Sequence, residues 1–82
     1  MAEIADKLID GIAKAKAGEW DEAHRIAQSL EGNRHADWFH AILHKIEGDA
    51  SNSRYWYSRT EKSYESYADP DAELDALKDS LG

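Results

Sequence analysis

Apolar residues recur at helical spacing along the whole chain, and no stretch alternates polar and apolar residues long enough to make a strand. Ile4, Leu8, Ile9, Ile12 and Ala15 form a stripe of period near 3.6 that predicts a helix over 3–17, ended by Gly18 as a left-handed C-cap. A second helix is expected over 20–31, with Trp20, Ala23, Ile26, Ala27 and Leu30 facing inward. Gly32-Asn33 breaks the pattern, and Asn33 is suited to cap a third helix over 34–47 with Trp38, Ala41, Ile42 and Ile46 inward. Gly48 stops that helix. Asp49 or Ser51 caps a fourth that the pattern carries to about Tyr64. Asp69-Pro70 is a helix start with the acid at N-cap and proline in the first turn, and Leu74, Leu77 and Leu81 follow over about 70–81.

The breaks repeat. Ala17-Gly18-Glu19-Trp20-Asp21-Glu22-Ala23 aligns with Glu47-Gly48-Asp49-Ala50-Ser51-Asn52-Ser53, with Gly18 and Gly48 separated by 30 residues. A period of that size marks stacked helical hairpins, with a small residue where the second helix presses on the first. The Gly-x-Trp-x-x-Ala pattern resembles a tetratricopeptide-type turn, in a period shorter than that family's. The expected fold is therefore all-α: one domain over 1–82, built as a TPR-like array of two hairpins, about 3–31 and 34–64. A C-terminal capping helix with an acidic outer face would close it.

Composition narrows the function classes. The chain has 82 residues, no cysteine and a net charge of −7. A chain so short buries a modest core, so Trp20, Trp38 and Trp56 are core candidates first. Without cysteine there are no disulfides, thiolate metal sites or thiol nucleophiles, and an intracellular, cytoplasmic setting is expected. The first residues, Met1 to Asp6, are acidic and lack the basic and apolar regions of a signal peptide. No apolar run approaches the roughly 20 residues that span a bilayer. The negative charge argues against nucleic acid and anionic membranes as partners. From Glu61 onward seven acids (Glu61, Glu65, Asp69, Asp71, Glu73, Asp75, Asp79) face two lysines, and this segment reads as a solvated acidic surface.

Chemistry concentrates between His35 and Arg59. His40 and His44 lie one turn apart on one helix face, and Glu47 continues it. Such a His-x-x-x-His-x-x-Glu row suits a divalent cation, with His24 from a neighbouring helix as a further ligand. Ala41 stands where a zincin motif needs glutamate. The same residues also suit a buried hydrogen-bond network. Tyr55, Trp56 and Tyr57 point in three directions, because helical neighbours differ by about 100°. Trp56 continues the face of Ser53, Tyr57 shares a side with Tyr64, and Tyr55 points away with Asn52 and Arg59. Asp37 and Glu47 stand ~15 Å apart along one helix, too far for paired acid–base work. No nucleophile elbow or phosphate loop is present, so nothing in the sequence asks for an enzyme.

Gly18-x-Trp20-Asp21-x-Ala23-His24-x-Ile26-Ala27-Gln28 and His40-Ala-x-x-His44-x-x-Glu47-Gly-Asp49-x-x-Asn52-x-x-Tyr55-Trp56-Tyr57-x-Arg59 together resemble a family of small bacterial helical proteins with no established activity. The resemblance covers about residues 18–60. It implies that the histidines, Gln28, Glu47, Asp49, Asn52, the aromatic triplet and Arg59 belong to a family pattern. That pattern has alanine near Ser53 and Thr60, where this chain is polar.

Two expectations follow. One is a non-catalytic module without a cofactor, binding a protein, peptide or small ligand through His40, His44, Glu47, Asn52, Tyr55, Tyr57 and Arg59. The other is a divalent-metal protein, or a metal-dependent enzyme, using His24, His40, His44 and Glu47.

Overall fold

The computed structural model describes residues 2–82, with side chains from Glu3 onward; Met1, the first residue of the N-terminal segment read above, lies outside it. The described chain forms five α-helices: α1 (Ala2–Lys16), α2 (Trp20–Ser29), α3 (Arg34–Glu47), α4 (Ala50–Tyr57) and α5 (Pro70–Ser80). A single 3-10 turn, Tyr64–Ser66, interrupts the segment before α5. No described helix is long and apolar enough to cross a membrane.

The helix ends follow local chemistry. Gly18 and Gly48 adopt φ of 83° and 87°, which a side chain rarely tolerates. The amides after them reach back to the Lys14 and His44 carbonyls and close the helix ends. Asn33 accepts from the amides of His35 and Ala36, Asp49 from Asn52, and Asp69 from Asp71. Helix α4 stops at Tyr57 rather than near Tyr64. The Thr60 hydroxyl donates to the Tyr57 carbonyl and accepts from the Lys62 amide, satisfying groups that another helical turn would have used. Thr60 thus marks the helix end.

Helix α1 pairs with α2, and α3 with α4, as two hairpins. Helix α5 folds back against α3 and α1, so α3 touches all four other helices. Every residue from Ala36 to His44 is buried in consequence. Phe39 and Leu43, on faces the inward stripe omitted, are fully buried, whereas Ile46 and Ile9, read as inward, lie at the surface. A central helix buries its whole circumference, so no single stripe describes it. At Gly11 α1 comes close to α3: a Cβ there would stand 2.8 Å from the Phe39 ring.

The acidic C-terminal surface needs one correction. Glu73 is fully buried. Its Oε2 accepts 2.7 Å from Trp38 Nε1 and 2.5 Å from the Tyr57 hydroxyl, and its Oε1 accepts 2.8 Å from Lys45 Nζ. The Lys45 ammonium also donates to the Tyr64 and Tyr67 carbonyls and lies near the Tyr57 and Tyr64 rings. This network ties α3, α4 and α5 together, with every polar end paired. Burial and the bond to Glu73 hold the Tyr57 hydroxyl far above its ordinary pKa.

Candidate metal centre

The three histidines singled out from the sequence converge. His24 comes from the middle of α2, and His40 and His44 from successive turns of α3 where the two helices pack. One ring nitrogen from each lies within 4.8 Å of the others. His24 Nε2 and His40 Nε2 are 3.0 Å apart. The His40 and His44 rings are stacked at 5.0 Å, and the His24 ring meets both edge-on.

Two tryptophans hold the cluster in place. Trp20 stacks on His24 at 4.7 Å, and its indole N–H donates 2.7 Å to the Leu43 carbonyl, fastening α2 to α3. Trp56 of α4 stacks on His40 at 3.8 Å. Ser53, buried below it, donates to the Ala41 carbonyl and draws α4 onto α3. His44 Nδ1 donates 2.5 Å to the Glu47 carboxylate, which fixes the orientation of the ring.

Burial governs the electrostatics. It pushes the His40 imidazole down to about 4, with the neighbouring His24 and His44 adding to the effect. His24 is half-buried and also lowered, first by burial and then by His44, against the opposing pull of Glu47 and Asp21. Both shifts favour the neutral imidazole, the state in which it binds a metal. The pair is not closed on itself. One Nε2 donates to the other, and either assignment leaves His40 Nδ1 buried without a partner. Such a group costs about 1–3 kcal/mol.

The remaining predicted residues separate. Tyr57 is buried on the Glu73 network. Asn52 bonds to Asp49 in the α4 cap. Tyr55 is exposed and accepts from Arg59, whose guanidinium also lies near Trp56 and 3.6 Å from the buried Asp37 carboxylate. Helix α4 therefore sends this row to three places. Two adjoining hollows of about 290 Å³ each lie farther along, around Arg54, Tyr64 and Glu65, and of the predicted residues only Tyr57 lines one of them. The sequence reading missed Lys45 and Glu73. Lys45 carried no motif, and Glu73 stood among six other acids.

A tetrahedral ion with nitrogens at 2.0–2.1 Å sets neighbouring donors ~3.3 Å apart. The His24 and His40 Nε2 atoms are within a few tenths of an ångström of that spacing. An ion there would be held by ring nitrogens of His24, His40 and His44, in place of the shared proton. Glu47 would then be the outer carboxylate that orients the His44 ring. A second set, His44, Glu47 and Asp49, also comes within 4.8 Å, but its carboxylates lie toward the surface and Asp49 is committed to the α4 cap.

No family model, curated protein or solved structure matches the chain.

Proposed function

We propose that this chain is a small helical metal-binding protein whose ion is held by His24, His40 and His44. The observation that carries the reading is the convergence of three buried or half-buried imidazoles, two of them 3.0 Å apart at Nε2, with a carboxylate on the outer nitrogen of the third. Three neutral nitrogens without thiolate or carboxylate in the inner set favour Zn²⁺, Ni²⁺ or Cu²⁺ over Mg²⁺ or Ca²⁺. Binding links the two hairpins at the α2–α3 contact and stabilises the folded chain by mass action, about 2.7 kcal/mol at a hundredfold excess over Kd.

The His24–His40 contact itself favours a second reading, in which the cluster is a structural network without an ion. An NMR titration of the imidazoles with zinc and nickel separates the two. The metal reading requires joint, saturable shifts of His24, His40 and His44 at one ion per chain. His24→Ala and His44→Gln should each weaken binding at least about 100-fold, the upper range for loss of metal-site partners. Imidazoles that titrate unchanged by metal leave the structural network.

A further inference from the structure

We propose that the ion bound by His24, His40 and His44 keeps one coordination position open on the His24 side, and that this position takes a neutral nitrogen donor of the imidazole type in preference to an anion. The inference rests on the three-histidine reading and adds the class of its outside ligand.

The inner set has three members. Among the described residues no carboxylate joins the three imidazoles in one cluster, and the sequence has no cysteine. Three donors on a four-coordinate ion leave one position to an outside ligand. The walls decide where it opens. His40 and His44 are buried, Trp56 covers the His40 ring, and Trp20 covers one face of His24. Only the His24 ring is half-exposed, so an incoming ligand arrives along α2.

Charge decides what it takes. The carboxylates of Asp21 and Glu47 both lie close enough to act on the His24 ring, and both are on exposed residues. Arg59, by Trp56, is engaged with Asp37 and Tyr55, and Lys45 with Glu73. An approaching anion meets two negative groups beside the ion and a chain of net charge −7. A neutral imidazole meets none of that repulsion.

Loading the protein with Co²⁺ and following its visible ligand-field bands tests this directly. Imidazole should shift the bands saturably, at a concentration about tenfold below that required of azide, the scale of one charge repulsion at short range in partly screened surroundings. Asp21→Asn, which touches none of the three ligands, should leave cobalt bound and narrow the gap between azide and imidazole. A blocked histidine peptide shifting the bands as imidazole does makes the ligand a side chain of another chain. A shift by free imidazole alone makes it a small molecule. Bands that neither imidazole nor azide moves, or azide binding as tightly as imidazole in the unaltered protein, overturn the proposal while leaving the metal site standing. Failure to take up cobalt, zinc or nickel overturns both readings.

Discussion

Helix α3 carries two buried polar clusters on opposite faces, and they obey different rules. His40 and His44 face α2 and α4, while Trp38 and Lys45 project from the other side toward Tyr57 and Glu73. In the Glu73 cluster both carboxylate oxygens are occupied, and the Lys45 ammonium fills its donors on three oxygens. In the histidine cluster one nitrogen has no partner, and the His24–His40 contact needs an asymmetric proton. A saturated network fixes packing and has no capacity left for a ligand. An unsaturated one, built from the residues that bind metals best, has capacity that the fold itself does not use.

Removing Glu73 gives the largest expected effect. Glu73→Ala strands the Lys45 ammonium and the Trp38 and Tyr57 donors, and a buried pair broken on one side costs about 3–5 kcal/mol. Urea unfolding followed by tryptophan fluorescence reads it. Glu73→Gln combined with Lys45→Met keeps an acceptor and removes both charges, so it should cost less than Glu73→Ala alone. Equal losses would mean that the ion pair does not organise this side of α3.

Acid gives the next effect, on the other cluster. The unfolded His40 imidazole takes its proton near 6.5, the folded one only near 4. Between those values the unfolded chain binds more protons, so stability falls as pH drops through the window and is complete above it. The loss approaches about 3 kcal/mol at pH 4. Melting curves from pH 7 to 4 should show it in the metal-free protein, and His40→Leu should remove this part of the slope. A slope unchanged in that variant would place the acid sensitivity elsewhere.

The smallest effect distinguishes the clusters most sharply. At pH 7 without metal, His40→Leu removes the unpartnered nitrogen and leaves an apolar side chain under Trp56. It should change stability by no more than about 1 kcal/mol, in either direction. The same substitution should abolish zinc binding. A large destabilisation by His40→Leu would make the two clusters alike in kind.

The boundaries and the histidine row were legible because both depend on near neighbours. A left-handed glycine, an Asx cap and a pair of residues one turn apart are properties of a few consecutive positions. Gly18, Asn33, Gly48, Asp69 and the His40–His44 pair accordingly stand where the spacing put them. The end of α4 was less legible, because the Thr60 hydroxyl competes with a helical pattern that continues past it.

What the sequence determined by itself is an all-α chain with its turns, its caps and one helix bearing two histidines on a shared face. Tertiary structure decided which of those features came together. Packing α5 onto α1 and α3 made α3 central, buried Glu73 among apolar side chains and required Lys45, Trp38 and Tyr57 to meet it. Packing α2 across α3 brought His24 to His40, 16 positions away in the chain. Helical periodicity is set within a few residues by backbone hydrogen bonds. The pairing of distant polar groups depends on which faces exclude water together, and that is settled only when the helices pack.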